Sequence, residues 1–295
     1  MKKYAIVTDS SCDLSKEYRE AHHIDYAKML LNWPLANGEI REEIADLDWQ
    51  AFSMREFYDL LRNGTRITTS LITPQNYREV FEKHLEKGED VLYLACSSGL
   101  TASWKVAEKL IQDELTAKYP NNKVVLLDTL RAGMSQGQIV MLAVEAQENG
   151  KSLDEVIELV EKEKLHYKEI GIPDTLKYLK RAGRVSAPAA YFGNLVGLKP
   201  ILVFDEKGSN IAIEKAIGRK KAFAMMAEII KNDIINPENQ TIYLMHADCS
   251  DDDINAFKNM VNSAAKVKEI VVMPLGPIIG ASSGPGTVII NYYGK

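Results

Sequence analysis

Cysteine is scarce in this sequence: three in 295 residues, Cys12, Cys96 and Cys249, far apart and with no CxxC pair. A set so odd and scattered argues against a disulfide framework and a zinc site, and it is the usage expected of a chain in a reducing cytoplasm. Long hydrophobic runs are missing too. No apolar stretch reaches the ~18 to 20 residues needed to cross a bilayer, and the opening MKKYAIVTDSS meets Asp9 before the core of a secretory signal could form. Basic clusters are equally thin, the densest being Arg219, Lys220 and Lys221, and the net charge is -5. That balance gives no basis for proposing nucleic acid as a partner. The five histidines, His22, His23, His84, His166 and His246, form no HExxH or i, i+4 pair, and no internal repeat or low-complexity tract is visible.

What is present is ordinary for a soluble globular protein: 46% hydrophobic and 26% charged residues. Single cores seldom grow much past ~250 residues, so 295 residues predict two domains. The most informative stretch is Val91 to Ser103, VLYLACSSGLTAS. Val91 to Cys96 is an apolar run of strand length, and Leu100, Trp104, Ala107, Leu110, Ile111 and Leu115 then recur at helical spacing. A strand feeding a helix leaves unpaired N–H groups and a positive dipole end where Ser97, Ser98, Thr101 and Ser103 collect, a pocket suited to an anionic group. Hydroxyls at a helix start are also ordinary caps. Repetition favours a site: similar clusters stand at Thr8, Asp9, Ser10 and Ser11, at Thr68, Thr69 and Ser70, and at Ser282 and Ser283. Open α/β sheets bind ligands outside the carboxyl ends of their strands, where such segments converge.

Along the chain, a strand is expected over Tyr4–Val7 and a helix from Asp13 to about Ala21, followed by an irregular excursion from His22 to Gly64 that could cover a cleft. Pro74 opens a helix running to Gly88. A strand at Lys123–Leu127 leads to a long helix ending at Gly150, and Ser152 with Glu155 forms a capping box for another to about Lys164. Alternating strands and helices predict a mainly parallel sheet with right-handed crossovers, in a first α/β domain over residues 1–165. Residues 166–295 form a second, mixed α/β domain. Its expected parts are a hairpin of Pro200–Phe204 and Ile211–Ala216, a helix over Arg219–Ile230, strands at Thr241–His246, Ile270–Met273 and Thr287–Asn291, and a helix from Ser250 to Ala265.

Recognised catalytic signatures are mostly missing. GPIIGASSGPG, Gly276 to Gly286, is neither a Rossmann fingerprint nor a phosphate loop nor a hydrolase elbow. His246 with Asp248, Asp251, Asp252 and Asp253 has residue types a divalent ion could use, but aspartates at a helix start are ordinary dipole partners, and no metal is expected. No base and acid can be nominated for a serine nucleophile.

The ordered set TDSS, TTSLITP (Thr68 to Pro74), SSGLTAS (Ser97 to Ser103), LKYLKRAGRVSAPAAYFGNLVGLKPIL (Leu176 to Leu202) and GPIIGASSGPG resembles the DegV family of bacterial fatty-acid-binding proteins across nearly the whole chain. The resemblance implies two α/β domains with one long-chain fatty acid, such as hexadecanoate, between them. It also implies a carrier rather than an enzyme, which presents the acid to a fatty acid kinase for conversion to an acyl phosphate. Thr69 takes the place of the threonine in the family's TSQ motif and Thr101 that of the serine in LSGT, so these two would hold the carboxylate with Ser98 close by. Arg184 matches the arginine of GRI, and Arg219 the basic residue after the hairpin, a phosphate or partner contact. Where the family commonly has histidine in HTGPG, this chain has Ser282, which offers a neutral hydrogen bond in place of a charge-assisted one. Tyr191, Phe192, Leu195 and Val196 are candidates for the tail's lining. Two rival functions remain open at this stage: a carrier of a different amphiphile, and an enzyme acting on an acidic or phosphorylated metabolite.

Overall fold

The computed structural model describes residues 2–186 and 197–295. Its chain divides into two compact units, Met1–Ala51 with Thr69–Leu165, and Phe52–Thr68 with His166–Lys295. The division is thus not one cut at residue 165. The segment Phe52–Thr68, carrying helix α2 (Met54–Arg62), groups with the later unit.

In the first unit, β1 (Tyr4–Asp9), β2 (Asp25–Ala27), β6 (Asp90–Ala95) and β7 (Val124–Asp128) form a sheet in the order β2-β1-β6-β7, parallel at every step. Every residue of β6 is buried, as a central parallel strand covered on both faces requires. Helices α1 (Lys16–Ala21), α3 (Pro74–Leu85), α4 (Ser103–Leu110), α6 (Gly133–Glu148) and α7 (Leu153–Glu163) complete the layer. Both α3 and α6 pack on β1 and β6. Tyr93 of β6 meets Tyr77 and Phe81 of α3, with ring centroids 5.5 Å away in each case. After α4 the helix widens into a π turn, Ile111–Leu115, before its last turn α5 (Thr116–Lys118). A small second sheet sets β3 (Leu30–Pro34) between β4 (Ile40–Ile44) and the two-residue β5 (Thr68–Thr69).

Five antiparallel or parallel pairings build the second unit's mixed sheet, in the order β10-β9-β8-β13-β11-β12. Its strands are β8 (Tyr167–Ile172), β9 (Leu198–Phe204), β10 (Asn210–Ile217), β11 (Thr241–His246), β12 (Glu269–Pro274) and β13 (Val288–Tyr293). Helices α9 (Arg219–Asp233) and α10 (Asp251–Ala265) pack together over one core, where the rings of Phe223 and Phe257 stack at 4.6 Å. Two short helices, α8 (Lys177–Ala182) and α11 (Pro277–Ser283), stand in contact, and α11 also touches α2. These contacts explain why Phe52–Thr68 belongs here. Tyr58 of α2 donates to the Leu275 carbonyl at 2.8 Å, Tyr178 of α8 donates to the Leu61 carbonyl at 3.0 Å, and Arg62 pairs with Asp248. A Cβ on Gly280 of α11 would lie 2.3 Å from the Tyr58 hydroxyl.

Most expected elements form, with informative differences. Helix α1 starts at Lys16, capped by Ser15, whereas Asp13 sits in the left-handed region at φ 51. The expected irregular excursion holds β2, β3, β4 and α2. The glycine-rich string Gly276 to Gly286 contains α11, with Pro277 at its first turn. Tyr191, Phe192, Leu195 and Val196 lie outside the described residues.

Candidate functional site

Strand order in the first unit reverses between β1 and β6: from β1 the sheet grows toward β2, and from β6 toward β7. At such a switch point the connections leave in opposite directions and open a crevice at the strands' carboxyl ends. One hydroxyl cluster spans the end of β1 and another follows β6 directly.

The end of β1 and the turn after it are internal. Thr8, Asp9, Ser10 and Ser11 are all 0% exposed. Thr8 donates to the Leu94 carbonyl at 3.0 Å and Ser10 Oγ accepts from Met29 N–H at 3.0 Å. Asp9 receives the Ser11 hydroxyl, Ser11 N–H (3.1 Å), Tyr93 hydroxyl (2.9 Å) and Cys96 N–H (2.9 Å). Gln136 of α6 closes the group through Ser11, Thr8 and the Leu94 carbonyl. A buried carboxylate needs such donors, and here they clip the end of β1 to the end of β6. The TDSS residues therefore support the crevice from behind.

After β6, Ser97 is buried and its Oγ accepts from Gly99 N–H, while Ser98 N–H donates to Asp128 at 3.2 Å. Helix α4 has no side-chain cap bond. Instead the Thr101 hydroxyl donates to Ser103 Oγ at 3.0 Å, Ser103 N–H donates to Thr101 Oγ1 at 3.1 Å, and Ile72 N–H donates to Ser103 Oγ at 3.2 Å. Ser103 thus ties SSGLTAS to TTSLITP. By contrast Thr73, Ser152 and Ser250 are ordinary caps, bonded to the N–H groups of Asn76, Glu155 and Asp253. Tyr77 Oη lies 3.1 Å from both the Tyr93 hydroxyl and the Ser103 carbonyl, so one polar chain runs from Asp9 through two tyrosines to Ser103. Burial, with Asp9 adding its charge, pushes both phenols up, which keeps their protons in place as donors.

Of the four residues expected to hold a carboxylate, Thr69 at the end of β5, Ser98 and Thr101 belong to the first unit and Ser282 of α11 to the second. All four are half-buried. The hydroxyls of Thr69, Ser98 and Ser282 have no hydrogen-bond partner among the described residues, whereas the buried Ser283 donates to the Ile279 carbonyl at 2.9 Å. Arg219 is engaged inside its own unit: it donates to the Gly286 carbonyl at 2.7 Å, lies 3.7 Å from Asp174 and 2.7 Å from Asp253, and stands over the Phe223 ring. Arg184 donates to the Ala182 carbonyl at 2.5 Å.

Thiol chemistry has little support at this crevice. Burial pushes the Cys12 thiol up to about 12 and the Cys96 thiol higher, Asp9 adding to both. His246 is lowered by burial, and its Nδ1 accepts from Cys249 N–H at 3.3 Å. Among the described residues no group of three or more His, Cys, Asp and Glu is placed to hold a metal ion, and no helix is long and apolar enough to cross a membrane. Sequence reasoning missed Tyr77, Tyr93 and Gln136. A tyrosine in the otherwise aliphatic VLYLA was the available signal, because a buried phenol needs a hydrogen-bond partner.

The architecture defines a class: a two-unit α/β protein with a doubly wound first sheet, its strand ends backed by a buried polar network. The chain belongs to the DegV family, whose description reads "Uncharacterised protein, DegV family" and which it matches over residues 3–295. It is 34% identical over 297 residues to the DegV domain-containing protein CPE0026 of Clostridium perfringens, covering 100% of this chain and 98% of that one. Among solved structures it is similar to a DegV family protein from Thermus thermophilus described for its fatty acid binding, at 28% identity, full coverage of both chains and a TM-score of 0.81. It is likewise similar to DegV, a fatty acid binding protein from Bacillus subtilis, at 26% identity, full coverage of both and a TM-score of 0.81.

Proposed function

We propose that this protein is a non-enzymatic carrier of a long-chain fatty acid, with Thr69, Ser98 and Thr101 holding the carboxylate and Ser282 joined to them by motif resemblance. The observation that carries the reading is a contrast among hydroxyls. Those at the fully buried positions are bonded internally, while Thr69, Ser98 and Ser282 are half-buried and unpartnered among the described residues. Fatty-acid binding by the Thermus thermophilus and Bacillus subtilis relatives supports the choice of ligand. For a tail of ~14 methylenes at ~0.8 kcal/mol each, burial contributes on the order of 11 kcal/mol before ordering costs. Each neutral hydrogen bond adds only ~1 kcal/mol net, but an unsatisfied buried carboxylate costs several, so the hydroxyls orient the acid and penalise other head groups. The finer part of the reading is that the acid is presented to a fatty acid kinase, with Arg184 and Arg219 on the side of phosphate or partner.

Native mass spectrometry of protein purified from a heterologous host tests the reading. A co-purifying fatty acid, or uptake of added palmitate by delipidated protein, is the expected result. Neither signal, in protein shown to be folded, refutes it. Mixing the loaded protein with a fatty acid kinase and ATP then reads acyl phosphate directly.

A further inference from the structure

We infer that the outer edge of the small sheet is a self-association surface: β4 (Ile40–Ile44) pairs antiparallel with β4 of a second copy of this chain, about a two-fold axis at Glu42. The inference does not depend on the fatty-acid reading. β4 stands first in the order β4-β3-β5, and among the described residues no strand lies beyond it. Its pairing with β3 runs from Ile40 to Ile44 without a register shift. The edge therefore has neither the bulge that interrupts β10 nor the three-residue length of β2, two devices that blunt an edge.

The backbone shows which groups face outward. Leu35 N–H donates to the Glu39 carbonyl at 2.8 Å, and Ala45 N–H donates to the Met29 carbonyl at 2.9 Å. Bonded pairs alternate along an antiparallel ladder, so Arg41 and Glu43 bond to β3 while the N–H and C=O groups of Ile40, Glu42 and Ile44 point away from it. The Ile44 carbonyl accepts Asp46 N–H with one lone pair and keeps the other. An axis at Glu42 sets Ile40 against Ile44 of the second copy and Glu42 against its counterpart, so each outward N–H meets an outward carbonyl.

Side chains select this register. In it Ile40, 64% exposed, faces Ile44, 45% exposed, and Arg41 faces Glu43 of the second copy. Arg41 is already held over the Trp33 ring and 2.7 Å from its own Glu43, so both charges stand ready on one face. Moving the axis to Arg41 or to Glu43 sets like charges directly opposite and puts isoleucine against Glu42, which is destabilising. In the favoured register Glu42 alone meets its own kind. That pair keeps the association weak, and a strand of 5 residues covers less than the ~1,200 Å² of a stable interface, so the dimer is transient. A two-fold contact is closed, and growth stops at two copies.

Sedimentation velocity of the full-length protein over a concentration series tests the inference. Wild-type protein is expected to shift toward dimer as concentration rises, with Glu42→Gln tightening association about three-fold and Ile44→Lys weakening it about ten-fold. Arg41→Glu should weaken it, and adding Glu43→Arg should restore it to within about two-fold. Cross-linking reads the register: Glu42→Cys, at roughly 5.5 Å from its counterpart, should form a disulfide dimer faster than Glu39→Cys, which is exposed but off the axis, with wild-type protein controlling for Cys249. Glu42→Gln protein that stays monomeric at every concentration, a dimer indifferent to Ile44→Lys, or cross-linking no faster at 42 than at 39 leaves the edge to solvent or to another partner and overturns the inference. If Ile44→Lys does not fold, Ile40→Lys, at the more exposed position, is read by the same criteria.

Discussion

Replacing Tyr93 with phenylalanine removes one oxygen from the centre of the first unit and leaves the ring where it was. The ring contacts with Tyr77 and Phe81 survive, so little apolar packing changes. What is lost is the 2.9 Å donation to Asp9, a hydrogen bond to a carboxylate with no solvent to replace it, and the 3.1 Å contact with Tyr77. Hydrogen bonds to charged groups contribute ~1.5 to 3 kcal/mol and neutral ones ~0.5 to 1.5. Tyr93→Phe should therefore destabilise the first unit by about 2 kcal/mol, and Tyr77→Phe by about 1 kcal/mol because the bond between Tyr93 and Asp9 persists. Hydrogen exchange read by mass spectrometry suits the measurement, since peptides from β1 and β6 report on one unit and those from β11 and β13 on the other. Protection should fall by roughly thirty-fold in β1 and β6 for Tyr93→Phe and stay unchanged in β11 and β13. Unchanged protection in β6, or a larger effect from Tyr77→Phe, would refute the account of Asp9 as the acceptor that joins the strand ends.

Three further outcomes are expected. His84 is raised by its hydrogen bond to Asp25, with burial opposing and Glu89 assisting, so its stabilisation is fully present below its unfolded value near ~6.5 and is lost as pH rises through the folded value. Asp25 behaves oppositely: burial would raise it, but bonds from His84 and Lys83 bring it to about 2, and its contribution fades as pH falls toward that value. Thermal unfolding from pH 5 to 9 should show wild-type stability declining more steeply above ~6.5 than that of His84→Gln; equal slopes would contradict the assignment. Gly280→Ala should cost about 1 to 3 kcal/mol in the second unit, because its Cβ would meet the Tyr58 hydroxyl at 2.3 Å. Tyr58→Phe in that background should recover part of the loss, as read by urea midpoints. Ser282→His should tighten palmitate binding by about 1 kcal/mol or more through a charge-assisted bond, and an unchanged titration argues against Ser282 at the carboxylate.

The sheets were legible where local chemistry and tertiary demand agreed. VLYLAC announced a central strand, Ser152 and Glu155 announced α7 through a capping box that forms as written, and Glu206 to Gly208 announced the hairpin of β9 and β10. Where those two diverged, reading failed. β4 has the sequence IREEI and is largely exposed, so no period marked it, and β2 is only three residues long. Helix α11 hides among glycines whose spacing is dictated by neighbours: Gly280 by Tyr58, and Gly284, at φ 85, by Tyr178. At the candidate site the hydroxyl clusters were visible but their roles were not. Thr8, Ser10 and Ser11 share hydroxyl chemistry with Thr69 and Thr101, and it is burial that separates the braces from the candidates. The grouping of Phe52–Thr68 with residues after 165 left no trace in composition, since it depends on contacts hundreds of positions away.

That grouping sets a timetable for synthesis. Helix α2 emerges from the ribosome early, carrying Phe57, Tyr58 and Leu61 on the face it will bury, yet the carbonyl that Tyr58 must reach belongs to Leu275, 217 residues later. At ~5 to 20 residues per second, this apolar face waits about ten to forty seconds for its cover. Throughout that interval the nascent chain exposes a greasy helix whose cover has still to be made.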